Sequence, residues 1–385
     1  MNLSDFDADL FLRDYWQKRP LLIRNPWHEW VNPIEPDELA GLACEPGVEA
    51  RLMTCEADRP VMDDAPLSAA RFGELRNGPW TLLVQAVDHY SHEVASLIEP
   101  FRFVPDWRID DVMVSYATDG GGVGAHFDQY DVFLVQGLGR RRWRVGPLCD
   151  ADTPLLPHES LRLIADFEAT GDWILEPGDI LYVPPRFAHH GVAVGDDCMT
   201  YSIGFRAPSR AELVEGWCDH LVETMDDDDR YADPDLTAQA NPGEIGAAAI
   251  DRLHRMVTDA LSDRTAFIRW FGAQNSLSKY AETDWRPEEA IDPDEVRAYL
   301  AQGAPLARNP ASRFSFFRED KAVLLFVDGE CFPCAGDTAL LAQSLCADMA
   351  IDPDPALSAS DAAVTLIAAL IDQGSVAFDL GEEAE

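Results

Sequence analysis

The chain has 385 residues and carries 69 acidic against 30 basic side chains, a formal net charge of −39. Charge of that size disfavours nucleic acid and acidic membranes as partners and favours basic ones. No apolar run reaches the roughly eighteen residues of a membrane-spanning helix, and the length suffices for one large core or roughly two or three ordinary ones.

The opening Met1-Asn2-Leu3-Ser4-Asp5 has neither the basic nor the apolar part of a secretion signal, so a cytoplasmic location is expected. Lysine is confined to Lys18, Lys279 and Lys321, and acid is scattered throughout, with a run at Asp226-Asp227-Asp228-Asp229. A salt-tolerant or halophilic source accounts for this as well as any functional role does. The eight cysteines show no disulfide spacing and are expected as thiols. Cys331-Phe-Pro-Cys334, the one close pair, lacks the further ligands of a structural zinc site.

In chain order, a short helix over 6–15 precedes an extended Pro20-Leu21-Leu22-Ile23. Residues 80–206 read as β-rich, with runs at 80–85, 111–117, 132–136, 142–145, 172–175, 180–183 and 199–205. Gly137-Leu-Gly139 and Pro177-Gly178-Asp179 read as tight turns, so a double-sheet jelly roll of cupin type is expected. After Ala207-Pro208 the period turns helical, over 210–225, 244–261 and 265–272, with an acidic linker at 226–242. From about residue 285 a helix at 294–302, a hairpin over 313–333, helices at 338–347 and 361–373 and a strand at 376–379 suggest a winged helix. Its acidity argues for packing or recognition over DNA binding. The expected division is residues 1–207 catalytic, 208–284 helical and 285–385 winged-helix-like. In the helical part Leu213, Trp217 and Leu221 share one helix face and suggest a homodimer contact.

The chemistry concentrates in the jelly roll. His126-Phe-Asp128 puts two ligand types on one face of an extended segment, because strand side chains alternate. A distant His would complete a two-His, one-carboxylate triad, which leaves part of the metal's shell open for an Fe(II) oxygenase. The Gly-rich bend Gly120-Gly121-Gly122-Val123-Gly124 precedes this pair and brings backbone close to whatever the His holds. His189 and His190 compete for the third position, since neighbours on a strand point oppositely. In Arg140-Arg141-Arg142-Trp143-Arg144-Val145, Arg141 shares its face with Trp143 and Val145. It should therefore point inward and need a carboxylate. A dicarboxylate that also chelates the metal, 2-oxoglutarate, meets both needs.

The segments Tyr15-Trp16-Gln17-Lys18-Arg19-Pro20-Leu21-Leu22-Ile23, His126-Phe-Asp-Gln-Tyr-Asp-Val-Phe133, Gly139-Arg-Arg-Arg-Trp143 and Gly178-Asp-Ile-Leu-Tyr-Val-Pro-Pro185 resemble the bacterial JmjC-type ribosomal oxygenases. The resemblance covers nearly the whole chain. It implies an α+β fold: a JmjC cupin (double-stranded β-helix), a helical dimerisation region and a C-terminal winged-helix-like domain. It implies Fe(II), 2-oxoglutarate and O2, with iron on His126, Asp128 and His189, and the cosubstrate carboxylate on Arg141 and Ser115. Asp119, Tyr130 and Ser202 are candidate substrate contacts, although Asp119-Gly120 is equally a turn. Arg186 and His190 depart from the small or acidic residues expected there. The implied activity is hydroxylation of an arginine on a basic large-subunit ribosomal protein, by a homodimer with no direct contact to nucleic acid or membrane. Histidyl hydroxylation, demethylation or a non-catalytic cupin are the alternatives.

Overall fold

The computed structural model describes residues 3–56, 59–75, 78–157, 162–226, 228–280 and 282–380. Met1 and Asn2 of the N-terminal reading and Asp227 of the acidic run lie outside them.

The chain divides into two compact units. The first holds residues 1–207 together with the short returns 279–286 and 308–311. It begins with helix α1 (Ala8–Asp14), whose first turn is capped by Asp7 accepting from the Leu10 amide at 2.9 Å. Strand β1 (Leu21–Ile23), helix α2 (Pro36–Leu42), strands β2 (Ala50–Glu56) and β3 (Arg59–Asp64), helix α3 (Ala69–Glu74), strand β4 (Trp80–Val84) and helix α4 (His92–Ala95) follow. The long strands come next: β5 (Ile109–Ala117), β6 (Asp131–Leu148), β7 (Gly171–Leu175), β8 (Ile180–Val183) and β9 (Phe187–Phe205). The sheet runs β1-β8-β6-β9-β5-β4-β2-β3, with β7 also paired to β6.

Two differences from the sequence reading matter. Gly137-Leu-Gly139 is no turn; it is an irregularity inside β6, which pairs with β9 on both sides of it. Three expected short runs, 132–136, 142–145 and 199–205, thus lie in two long strands, bent by bulges at 136–140 and 145–148. The sheet also starts earlier than residue 80, with β2 and β3 at its edge. Pro60 obscured β3, yet an edge strand tolerates a missing amide donor.

The two faces of the sheet are chemically distinct. Phe133, Tyr182, Tyr201 and Phe205 point outward against Phe11 of α1 and Phe101, with ring centroids 4.8 Å apart for Phe11–Tyr182 and 4.5 Å for Phe101–Phe133. Each such fully buried aromatic contributes about 1.5–3 kcal/mol of apolar burial. Val132, Leu134, Trp143, Val145, Leu181 and Val183 line the opposite, inner face. Asp131, fully buried where β6 begins, is held by Gln17 Nε2 at 2.9 Å, Tyr182 hydroxyl at 2.6 Å and Arg108 at 3.5 Å. This network explains the second Asp of the His-Phe-Asp-Gln-Tyr-Asp run: it anchors the N-terminal segment and leaves His126 and Asp128 untouched.

Helices α5 (Arg210–Thr224), α6 (Ala247–Leu261), α7 (Arg264–Ser276) and α8 (Pro293–Gln302) belong to the second unit. It continues with β10 (Leu306–Arg308, whose last residue counts with the first unit), β11 (Phe314–Arg318), β12 (Ala322–Val327), β13 (Glu330–Ala335), α9 (Asp337–Ala347), β14 (Ala350–Ile351), α10 (Asp361–Asp372) and β15 (Val376–Phe378). Strands β11, β12 and β13 form one antiparallel sheet. Gly272 of α7 lies flat on the Phe326 ring, where any Cβ would overlap. The sequence places a boundary at 284, whereas α7 and this sheet share one core. Trp217 departs from its expected place on an open helix face: it is 5% exposed and packs on Phe267 and Trp270 at 5.4 Å each. No helix among the described residues is long and apolar enough to cross a membrane.

Within the first unit, Lys279 donates to Asp111 at 2.8 Å and Asp110 at 3.0 Å, and Tyr280 donates to Glu49 at 3.1 Å. Asp88, 4% exposed, accepts from the Val112 amide at 2.8 Å, with His89 Nε2 4.0 Å away. Burial, and then the charge of Asp111, push the Asp88 carboxyl up to about 8. Its ordinary value is about 4, so the folded chain binds this proton more tightly across that interval, and stability falls as pH rises through it. Asp88→Asn, permanently neutral, should gain about a few degrees in melting temperature on the parent between pH 5 and pH 8. A gap that does not change with pH would show that Asp88 is ionised throughout.

Candidate metal centre

The Gly-rich bend leaves β5 and returns to the sheet edge. Gly120 donates to Ala193 at 3.0 Å, and Gly121 accepts from Ala193 at 2.9 Å. A Cβ on Gly121 would overlap the Trp80 carbonyl, and one on Gly122 would overlap that of Gly191. The close approach the sequence suggested is therefore to the flanking strands β4 and β9. Its effect is to lay residues 125–128 beside β9.

There His126 and His189 form a reciprocal antiparallel bridge, with N–H···O distances of 3.0 and 2.8 Å. Their rings stand 4.3 Å apart between centroids. Asp128 Oδ2 lies 3.9 Å from His126 Nε2 and 3.5 Å from His189 Nε2. The three ligand atoms fall within 4.8 Å of one another, in the one such cluster of three found among the described residues. Each Nδ1 is 3.0 Å from a backbone carbonyl, Gly124 for His126 and Phe187 for His189. That contact fixes the proton on Nδ1 and turns both Nε2 lone pairs toward the Asp128 carboxylate. His189 is 3% exposed, and burial followed by the neighbouring His126 lowers its pKa to about 4, so it is neutral and able to ligate near pH 7.

His190 points to the opposite face. Its Nδ1 lies 2.6 Å from Arg144 Nη2, the guanidinium donating, and its ring meets Phe167 edge-on. Burial and then the Arg144 charge lower its pKa to about 4. Arg186 takes a left-handed backbone conformation at φ 66°, which costs about 1 kcal/mol or more for a residue with a side chain. Both its backbone groups are engaged: its amide donates to the Asp128 carbonyl at 2.6 Å, and its carbonyl accepts from Cys149 at 2.8 Å. Both departures from the expected residue types thus lie against the cluster: Arg186 ties its amide to Asp128, and Arg144 holds His190 on the opposite face.

Deeper on the inner face, Arg141 is 4% exposed. Its Nη2 lies 3.5 Å from Ser115 Oγ, its guanidinium carbon 5.9 Å from the Trp143 ring, and its Nε has no hydrogen-bond partner among the described residues. No carboxylate of the described chain pairs with it. By contrast, Arg142 on the other face pairs with Asp172 at 2.8 Å between Nε and Oδ1. A buried guanidinium with only a hydroxyl beside it fits an incoming carboxylate. The donor set at His126, Asp128 and His189 likewise fits Fe(II), with an open side.

The candidate substrate contacts lie apart in character. Ser202 is buried on β9, in register with Leu134 of the inner face. Tyr130 is 43% exposed, and burial of its hydroxyl end followed by the charges of Asp128, Asp111 and Asp110 hold the phenol protonated. Asp119 is exposed, with Oδ1 accepting from the Gly195 amide at 2.7 Å, which is the bonding of a turn residue.

The JmjC domain family matches residues 96–213, and the ROXA-like winged helix matches residues 259–377. The ribosomal protein uL16 3-hydroxylase of Escherichia coli strain K12 is 42% identical over 298 residues, spanning 77% of this chain and 79% of that protein. The chain belongs to the JmjC-domain ribosomal oxygenases. A probable ribosomal oxygenase of Haemophilus influenzae is 38% identical over 336 residues, covering 84% of this chain and 81% of its own length. An X-ray structure of E. coli YcfD superimposes with a TM-score of 0.89 at 36% identity, over 98% of this chain and 100% of that one. A second structure, of YcfD as a ribosomal oxygenase in complex with cobalt and 2-oxoglutarate, superimposes with a TM-score of 0.86 at 36% identity, over 98% and 99% of the two chains. Family membership accounts for the pairing of a JmjC cupin with a winged helix in one acidic chain.

Replacing His189 with Ala should weaken Co(II) binding by more than about a hundredfold in equilibrium dialysis, whereas His190→Ala should keep full stoichiometry with at most about a tenfold loss. The reverse order would move the ligand to His190.

Proposed function

We propose that this chain is an Fe(II)- and 2-oxoglutarate-dependent oxygenase that hydroxylates an arginine of the large-subunit ribosomal protein uL16. The observation that carries the reading is a pre-oriented His126–Asp128–His189 cluster sharing an inner face with Arg141, a buried cation that no carboxylate of the described chain neutralises. His126, Asp128 and His189 would hold the iron, and Arg141 with Ser115 would hold the far carboxylate of the cosubstrate. With O2 and 2-oxoglutarate, iron supplies the oxidising power to insert one oxygen atom into a C–H bond, and the cosubstrate leaves as succinate and CO2. The chain's own part is to orient and to exclude water. Nδ1–H contacts fix the two imidazoles, Val132, Leu134, Val145 and Leu181 keep the interior dry, and Arg141 sets the direction in which the cosubstrate lies.

Tyr130 at the mouth and Ser202 within support substrate binding. Asp119 would serve beside Gly195 of β9, with one carboxylate oxygen already engaged by the Gly195 amide. A basic ribosomal protein suits a −39 chain, although screening within about 8 Å at physiological ionic strength leaves selectivity to close contacts. A ribosomal substrate places the enzyme in the cytoplasm, and the charge fits a salt-rich one.

Mass spectrometry of uL16 incubated with the iron-loaded enzyme should find one added oxygen on a single arginine. A variant uL16 with that arginine changed to lysine should be unmodified. Oxygen on a histidine instead would favour the histidyl alternative; part of this chain is 33% identical over 99 residues to a Drosophila persimilis protein described as a bifunctional lysine-specific demethylase and histidyl-hydroxylase. In the same assay Arg141→Ala should raise the apparent KM for 2-oxoglutarate about a hundredfold or more. Arg140→Ala and Arg142→Ala should stay within about twofold.

A homodimer remains part of the proposal, through a different face from the one the sequence suggested. On α6, Ile250, Leu253, Val257 and Leu261 follow one another at helical spacing, and each is between 41% and 59% exposed. Light scattering at high salt should return a dimer mass for the parent and a monomer mass for a Leu253→Glu, Val257→Glu double variant. A monomeric parent would remove the dimer from the account.

A further inference from the structure

On the inner face, β6 presents Arg141, Trp143 and Val145 in turn, and β9 answers them with Ala193, Gly191 and His189. Trp143 therefore occupies the row between the buried metal ligand and the buried guanidinium. Its ring centroid is 5.9 Å from that of His189, and the Arg141 guanidinium carbon is 5.9 Å from its ring. The benzo edge lies across Gly191, where any Cβ would come within 2.7 Å of the ring. Glycine at 191 is thus what lets an indole lie between the two polar ends of the site.

The indole nitrogen is the unexplained part. Trp143 is 6% exposed, yet its Nε1 has no hydrogen-bond partner among the described residues, a property it shares in this region with Arg141 Nε. Buried tryptophan N–H groups usually find an acceptor, because leaving one unpaired costs about 1–3 kcal/mol. Two unpaired buried donors that follow one another along the row toward His189 call for one acceptor-rich molecule.

We propose that the Trp143 indole N–H donates to the bound dicarboxylate cosubstrate, as a positioning residue between the metal ligands and Arg141. The inference rests on the oxygenase reading above. It makes the site a three-donor cradle: Arg141 and Ser115 grip the far carboxylate, and the Trp143 N–H donates to an oxygen of the keto-acid end, which fixes how the two methylenes between them lie. Donor position then selects for a cosubstrate that carries oxygen at the right distance from its far carboxylate, beyond charge alone.

The test uses the full chain loaded with diamagnetic Zn(II), titrated with 2-oxoglutarate. Calorimetry should show Trp143→Phe weakening binding about ten- to a hundredfold, the range for a buried hydrogen bond to a charged group. The melting temperature without 2-oxoglutarate should fall by no more than about a few degrees, because the packing lost with the smaller ring is partly offset by removal of an unpaired donor. In the unaltered protein with ¹⁵N-labelled indoles, the Trp143 N–H resonance should move downfield and exchange more slowly with solvent on addition of 2-oxoglutarate. This readout holds even if the variant folds poorly. Equal affinity of variant and parent, or an indole resonance that does not respond, would overturn the proposal while leaving the oxygenase reading intact. If the parent itself failed to bind 2-oxoglutarate, that reading would fall, and this inference with it.

Discussion

Two backbone hydrogen bonds between His126 and His189 are the constraint on which the site depends. They join a segment outside the regular strands to the start of β9, and everything that makes the cluster a ligand set follows from that register. A slip by one residue would turn His189 outward and bring His190 in, since strand side chains alternate. The register is defended from several sides. Glycines at 121 and 122 allow a backbone approach that no other residue permits, the left-handed Arg186 ties its amide to the Asp128 carbonyl, and the Arg144–His190 contact occupies the competing imidazole on the far face. Local strain at Arg186 is offset by hydrogen bonds on both sides of it, a common arrangement beside a functional site.

The same strands sort polar groups by purpose. Asp131 is buried at the start of β6 with three partners and is structural. Arg141 is buried on the inner face with a hydroxyl and an aromatic ring, and no carboxylate of the described residues pairs with it. Burial alone does not separate these roles, whereas counting partners does, because a charge removed from water is costly unless compensated. The large negative charge of the chain is a property of its surface, and it says little about a centre whose inner wall is apolar.

Much of this was legible in the sequence where the signal was periodic. The alternation that put Arg141 with Trp143 and Val145 matches their burial, while Arg140 and Arg142 are exposed. The winged helix showed in its helix and hairpin order. Less legible were features set by distant partners. The continuity of β6 through Gly137 and Gly139 depends on bulges, which look like turns until the partner strand is known. The buried place of Trp217 depends on Phe267 and Trp270, some fifty residues away in the sequence. The turn role of Asp119 depends on Gly195. In each case local chemistry allowed two conformations, and a contact remote in the chain decided between them.

The central claim is that one metal and one dicarboxylate span the inner face from His126, Asp128 and His189 to Arg141. Anomalous diffraction from crystals of the Co(II)-loaded protein grown with 2-oxoglutarate tests it most directly. The account predicts a single cobalt peak against Nε2 of both histidines and the Asp128 carboxylate, with the far carboxylate of the same 2-oxoglutarate molecule on Arg141. Cobalt on His190, or a cosubstrate carboxylate seated away from Arg141, would contradict it.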